Sequence, residues 1–101
     1  YPIDNYLPMA VESGEFREIA KKSRSKILEG GSYIDWPFKV DSVTVYNIDG
    51  RYFFIQIDNK VYGLTGKSCT HYKIPFYTNC DKIEARKIAG YLLVEAKNLN
   101  S

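Results

Sequence analysis

The sequence of 101 residues has no long apolar run, and it contains only one histidine and two cysteines. A membrane-spanning helix needs roughly 18 consecutive apolar residues, and no segment approaches that length. The Cys-x2-Cys and His-x3-His pairs of structural zinc sites are missing, as are the glycine patterns of phosphate loops and nucleophile elbows. We therefore expect no metal, no cofactor, no membrane span and no enzymatic activity. A metal or thiol site around Cys69, His71 and Cys80 is the weaker alternative.

The net charge of the chain does not indicate whether its partner is charged. A net charge of +2 is too small to indicate nucleic acid or membrane by itself. Apolar residues make up 45% of the chain and charged residues 26%, which is typical of a soluble globular protein. A chain of this length forms one domain with a modest core. Nine tyrosines are an unusual number, and tyrosine suits both half-covered sheets and interfaces.

The clearest pattern lies in residues 43–64, which read VTVYNIDGRYFFIQIDNKVYGL. The pattern predicts three antiparallel strands joined by two short turns. Asp49-Gly50 is a strong hairpin signal, because a type I′ turn needs positive φ at both central residues. The second turn falls around Asp58-Asn59-Lys60, which has similar turn chemistry.

The alternation along this meander predicts its two faces. A two-residue first turn places Tyr46 opposite Phe53. The face expected to be buried carries Phe53, Ile55, Ile57, Tyr62 and Leu64. The other face carries Val43, Val45, Tyr52 and Phe54. It is either covered by another segment or used for binding, including as the interface of a homodimer.

The flanking segments predict an extended arm and two helices. Residues 1–12 form the arm, and a helix over 13–29 begins at the N-cap Ser13 and is stopped by Gly30-Gly31. Residues 33–64 form the sheet, with Trp36 and Phe38 covering the core, and residues 65–80 form a loop. A second helix over 81–99 begins at the capping box Asp81-Lys82-Ile83-Glu84 and carries an apolar stripe. The stripe consists of Ala85, Ile88, Leu92, Ala96 and Leu99. The fold class is thus α+β, a three- to four-stranded antiparallel meander with a helix on one face.

The two cysteines help to predict the cellular compartment of the protein, because disulfides form in oxidising compartments. Cys69 and Cys80 both lie in the predicted loop, and an even count in a small chain favours one disulfide. Closing this loop would stabilise the fold by roughly 3 kcal/mol. A chain that begins at Tyr1 and not at Met fits a mature protein after signal-peptide removal, or simply a shortened chain. We therefore expect a periplasmic or secreted protein.

Two short motifs resemble a family of small secreted bacterial proteins of unknown function. The motifs are Trp36-Pro37-Phe38 and the strand end Lys60-Val61-Tyr62-Gly63-Leu64-Thr65-Gly66. The resemblance covers about residues 34–66 and departs from the family pattern at Gly63 and Thr65. It implies an extracytoplasmic location and supplies no catalytic or ligand residues.

The function that these patterns favour is a small extracytoplasmic, non-enzymatic binding module, in the form of an inhibitor or immunity-type protein that binds a partner protein. Aromatic side chains are common energetic centres of such contacts. The expected contact residues are Tyr72, Phe76 and Tyr77 of the loop with Tyr52 and Phe54 of the sheet. The alternative is a cytoplasmic nucleic-acid-binding or regulatory module that uses the basic first helix. Its contact residues would be Lys21, Lys22, Arg24 and Lys26.

Overall fold

The computed structural model describes residues 6–33, 35–83 and 90–99. It confirms the α+β class: five antiparallel strands form one sheet, in the spatial order β1-β5-β4-β3-β2, and helices pack on the sheet. In the described part of the chain, no helix is long and apolar enough to cross a membrane. The elements are β1 (Met9–Ala10), α1 (Gly14–Lys22), β2 (Arg24–Glu29), β3 (Ser42–Ile48), β4 (Tyr52–Ile57), β5 (Lys60–Gly63), α2 (Gly66–Tyr72) and α3 (Gly90–Asn98).

The two turns of the meander form where the sequence predicts them. Asp49 and Gly50 have φ of 54° and 69°, and the Arg51 N–H donates to the Ile48 carbonyl over 2.9 Å. Asp58 is also at positive φ, and the second turn has the predicted two residues, because Ile57 pairs with Lys60.

The predicted register of the first hairpin is wrong by one residue. Ile48 pairs with Tyr52, so Arg51 is an extra residue on the returning strand, and Tyr46 lies opposite Phe54 instead of Phe53. A bulge of this kind moves the alternation of one strand relative to the other. Val43 and Val45 therefore lie on the same face as Phe53 and Ile55, not on the opposite face as predicted.

One face of the sheet forms the first core, and it contains the residues predicted to be buried there. Phe53, Ile55, Ile57, Tyr62 and Leu64 are all 6% exposed or less. Leu92 and Ala96 of α3 are fully buried against them. Full burial of a leucine side chain such as Leu92 stabilises the fold by about 1.5–3 kcal/mol, so this contact helps to hold α3 on the sheet.

The opposite face forms a second core under α1 and the segment that follows α2. Its buried members are Met9, Phe16, Ile19, Ile48, Phe54, Val61 and Ile74. Phe54 is 0% exposed at the centre of this face. The face is therefore covered by the chain itself, which removes the apolar sheet face that was predicted as a homodimer interface.

The predicted helix over 13–29 is correct only in its first half. Ser13 is the N-cap, and its hydroxyl accepts from the Phe16 N–H over 3.1 Å. The helix ends at Lys22, and residues 24–29 form β2, which pairs along its whole length with β3. As a strand, this segment buries Leu28 against Val43 and gives β3 its outer hydrogen-bonding partner. These tertiary contacts outweigh the helical spacing of the sequence, in which Phe16, Ile19 and Ile27 would share one face of a helix.

The predictions for residues 33–40 and 65–99 also need correction. The described residues of this first segment, 33 and 35–40, form no strand, although Trp36 and Phe38 pack on the first core as predicted. The predicted loop contains α2, capped by Thr65, and a 3-10 turn over Tyr77–Asn79. The last helix does not begin at Asp81, because Asp81 and Lys82 form a turn and Ile83 bridges to Phe38. Glu84, Ala85 and Ile88 lie outside the described residues.

A polar contact joins β2 to α3 beside the first core. The Glu95 carboxylate accepts from the Tyr33 hydroxyl over 2.5 Å and from Lys26 Nζ over 3.0 Å. The hydrogen bond to Glu95 and burial raise the pKa of Tyr33 to about 12. The hydrogen bonds from Tyr33 and then Lys26 lower the pKa of Glu95 below its ordinary value of 4.5.

This contact predicts a pH-dependent contribution to stability. Because the folded-state pKa of Glu95 is lowered, its contribution is complete above pH 4.5 and is lost as the pH falls through the folded-state value. We expect Glu95→Gln to lower the urea midpoint at pH 7 and to differ much less from the parent protein at pH 3. All other carboxyl groups are common to both proteins and cancel in this difference. An equal difference at both pH values would contradict the assignment.

Candidate protein-binding surface

Tyr52 and Tyr72 meet on the surface where β4 begins and α2 ends. Their ring centroids are 5.4 Å apart in an edge-to-face arrangement. The His71 ring stacks on Tyr52 with centroids 4.5 Å apart, and Lys67 Nζ lies 5.6 Å from the centroid of the Tyr52 ring. We call these four residues (Tyr52, Lys67, His71 and Tyr72) the aromatic patch. Both tyrosines are half-buried, while Lys67 and His71 are exposed.

The position of the aromatic patch depends on the two ends of α2 and on the buried ring of Phe54. The Thr65 hydroxyl accepts from the Ser68 N–H and starts α2, and Lys73 at φ 56° ends it. Between them, Lys67 and His71 are four residues apart, which puts both on one side of the helix. The buried Phe54 supports the patch from below, because its ring meets Tyr72 edge-to-face at 4.9 Å.

A groove adjoins the aromatic patch between α1 and α2, over the end of β3. Its volume is about 330 Å³. Ile19, Ile48 and Tyr72 supply its apolar surface, and Glu15, Glu18 and Lys22 stand at its rim. We call it the Tyr72 groove. Tyr72 is thus a wall of the groove and a member of the patch, so the two features form one continuous surface.

The charges around this surface are mostly positive on the patch side. Arg51 and Lys73, the chain neighbours of Tyr52 and Tyr72, are exposed, as is Lys67. Asp49 also lies close enough to affect Tyr72, while Glu15 and Glu18 lie on the groove side of that ring. Burial, followed by the charges of Tyr52 and Asp49, raises the pKa of Tyr72, so its hydroxyl stays protonated and able to donate at neutral pH.

The structure brings together only part of the predicted contact set. Tyr52 and Tyr72 lie together at the surface, but Phe54 is 0% exposed beneath them. Tyr77 is 2% exposed and belongs to the first core, and Phe76 packs against that core. Phe54 and Tyr77 are therefore core residues and not contact residues, and Phe76 lies on the other side of the sheet from Tyr72.

The predicted disulfide is not formed, and both cysteines are free and buried. Cys69 lies in α2 with its side chain against Gly63, and burial raises the pKa of its thiol to about 11. Cys80 belongs to the first core, where its sulfur accepts from the Lys82 N–H. The two thiols contact different residues, and α2, which was predicted as loop, fixes the position of Cys69.

The alternative metal or thiol site also lacks the geometry that it needs. Cys69 is buried, whereas His71 is exposed and its ring contacts are to Tyr52 and Tyr72. Within residues 6–33, 35–83 and 90–99, no three His, Cys, Asp or Glu side chains are grouped to hold a metal ion. A thiol whose pKa is near 11 is protonated at neutral pH and is a weak nucleophile.

The basic residues predicted for nucleic-acid binding are divided between two elements. Lys21 and Lys22 end α1, and Lys21 lies 3.5 Å from the Glu18 carboxylate. Arg24 and Lys26 lie in β2 instead, where their side chains reach the other face of the sheet, to the Leu99 carbonyl and to Glu95. The four charges therefore do not form one basic face.

Comparisons of this chain with protein-family models, with curated proteins and with solved structures gave no match. Function therefore has to be argued from the geometry of the protein itself. The aromatic patch and the Tyr72 groove are the surface with the most specific geometry.

Proposed function

We propose that the protein is a small, non-enzymatic binding module that holds a segment of a partner protein across the aromatic patch and the Tyr72 groove. The single observation that carries the proposal is the position of Tyr72, which joins a cluster of accessible rings to an apolar groove. Aromatic side chains next to a pocket are the usual energetic centres of protein contacts, because they bury a large area at a small entropic cost.

The chemistry of this surface defines the expected partner segment. A groove of about 330 Å³ lined by Ile19, Ile48 and Tyr72 fits an apolar side chain as an anchor. The cations Arg51, Lys67 and Lys73 favour an acidic residue on the patch side of that anchor, away from Glu15 and Glu18 at the rim of the groove. Occupying the surface would shield the partner segment, which is the action of an inhibitor or immunity-type protein.

The proposal is tested by selecting binders from a random peptide library displayed on phage. We expect enriched sequences to combine a large apolar residue with a nearby Asp or Glu. Lys67→Glu should weaken their binding about tenfold, because it reverses a charge beside Tyr52. Tyr72→Ala should weaken it about thirtyfold or more, the loss expected of a contact centre.

The matched control is Lys82→Glu, the same change at an exposed lysine beside Cys80, away from the patch. It should leave the affinity unchanged. Thermal unfolding must show that each variant remains folded. Selection of no peptides, or equal effects of Lys67→Glu and Lys82→Glu, would overturn the proposal.

The extracytoplasmic location is a separate part of the proposal. With Cys69 and Cys80 free, its support is the resemblance of residues 34–66 to small secreted bacterial proteins. Fractionation of the native host cells, followed by immunoblotting, tests it. We expect the protein in the periplasm or the medium, and recovery from the cytosol alone would contradict this part.

A further inference from the structure

The two edges of the sheet are built differently. One edge is β1, which has only two residues and follows Pro8, and such short edges resist pairing with another chain. The other edge is β2, which has six residues, of which only Leu28 is buried. A long exposed edge strand presents unpaired backbone groups that can accept another strand.

The hydrogen-bond pattern shows which backbone N–H and C=O groups of β2 do not bond to β3. The Gly30 N–H donates to the Asp41 carbonyl over 2.9 Å, which makes Gly30 and Asp41 a hydrogen-bonded pair in register with β2 and β3. Such pairs alternate along an antiparallel ladder, so the inward bonds belong to Leu28, Lys26 and Arg24. The N–H and C=O groups of Ser25, Ile27 and Glu29 therefore point away from β3.

The side chains of β2 leave one apolar residue at this edge. Ile27 is 65% exposed and pairs with Thr44, on the face of the sheet that carries α1. On the other face, the charge of Lys26 is offset by the Glu95 carboxylate at 3.0 Å. The edge therefore combines backbone groups without a partner among the described residues, an exposed apolar side chain and a partly neutralised lysine.

We propose that β2 pairs in antiparallel fashion with β2 of a second copy of this chain, with the two Ile27 residues opposite each other on a two-fold axis. The outward-facing backbone groups of Ser25, Ile27 and Glu29 in one copy then bond with those in the other. Ser25 lies opposite Glu29, and Ile27 lies opposite Ile27. Ile27 packs on Ile27, and the sheet continues through both copies. An edge pairing of this kind is self-complementary, as a two-fold interface must be.

Charge and hydrogen bonding select this register over its neighbours. The two-fold axis can be moved along β2 only to positions at which outward-facing residues still lie opposite each other, because only these positions keep the backbone hydrogen bonds. Moving the axis to Leu28 places Ser25 opposite Gly31, which lies in the 3-10 turn Gly30–Ser32 and not in β2, so the outer backbone bonds of Ser25 are lost. Moving the axis to Lys26 places Lys26 opposite Lys26, and moving it to Glu29 places Glu29 opposite Glu29. Like charges directly opposite each other are destabilising. The register centred on Ile27 avoids both clashes and uses all three outward-facing residues of β2.

Sedimentation equilibrium of the whole chain, from about 10 μM to about 1 mM, tests the proposal. The contact is smaller than a standard interface of about 1,600 Å², so we expect a weak dissociation constant of about 10 μM to 1 mM, within the range that the experiment covers. Ile27→Lys should raise it about tenfold or more, because two lysines then face each other on the axis. A mixture of the Ile27→Lys and Ile27→Glu variants should recover dimers that neither variant forms alone.

Val94→Lys is the matched control, because Val94 is also an exposed apolar residue (57%) but lies on α3. It should leave the dissociation constant unchanged. A parent protein that stays monomeric at 1 mM, or a mixture that recovers no dimer, would overturn the proposal. Ile27 is outside the aromatic patch and the Tyr72 groove, so failure here would leave the peptide-binding result intact.

Discussion

Replacing Gly63 with alanine is expected to lower the free energy of unfolding by about 2–3 kcal/mol. A Cβ at this position would lie 2.4 Å from Cys69 Sγ and 3.2 Å from the Cys69 backbone nitrogen. Gly63 cannot move aside easily, because it pairs with Phe54 on one side and its N–H donates to the Pro75 carbonyl on the other. The change therefore forces α2 away from the sheet. Urea unfolding measures the loss.

Two companion variants make this prediction specific. Gly66→Ala adds the same methyl group where nothing lies within 4 Å, and it should leave stability unchanged or raise it by up to about 1 kcal/mol. Cys69→Ala removes the sulfur that the new methyl group would meet. The double variant Gly63→Ala/Cys69→Ala should therefore lose less stability than the sum of the losses in the Gly63→Ala and Cys69→Ala single variants. Strict additivity, or a Gly63→Ala loss no larger than that of Gly66→Ala, would contradict the proposed contact.

Phe54→Ala is expected to cost about 3–5 kcal/mol, the range for removing a fully buried aromatic ring. Phe54 is 0% exposed, and its ring also supports Tyr72. The variant should therefore lose stability and also lose peptide binding through displacement of Tyr72. Thermal and urea unfolding give the first effect, and peptide titration at a temperature where the variant is folded gives the second.

The control for Phe54 is Val94→Ala, which shortens an exposed apolar side chain on α3, outside both proposed contact surfaces. Substitutions at such surface positions usually change stability by less than about 0.5 kcal/mol. A loss below about 1 kcal/mol for Phe54→Ala would show that Phe54 is not part of the second core.

The parts of the fold that the sequence predicts correctly depend on local chemistry. The turns at Asp49-Gly50 and Asp58-Asn59 and the N-cap at Ser13 each need only a few adjacent residues. The buried face with Phe53 and Ile55 follows from alternation within one strand. Each of these signals is complete within a short stretch of chain.

The parts that sequence reasoning missed depend on distant contacts. β2 is a strand because β3 pairs with it and Leu28 reaches the first core. The extra residue Arg51 changes the register of the first hairpin without altering its turn signal. The sequence does carry one local signal for α2, the N-cap Thr65, but the cysteines, His71 and Pro75 nearby favour a loop over residues 65–80.

The candidate site was predictable only in fragments. Tyr52 and Tyr72 were both named as contact residues, but their proximity depends on α2 packing beside β4. Lys67 and His71 were missed as members of the site, since their spacing of four is informative only on a helix. The groove could not be inferred, because it joins α1, β3 and α2.

The most direct test of the central claim is an NMR titration of the labelled whole chain with a peptide enriched in the display selection. We expect the largest amide shift changes on Tyr52, His71 and Tyr72 and on the groove residue Ile19, with β2 unaffected. Saturable changes centred on β2 or on the exposed side of α3, with the patch and groove unchanged, would contradict it.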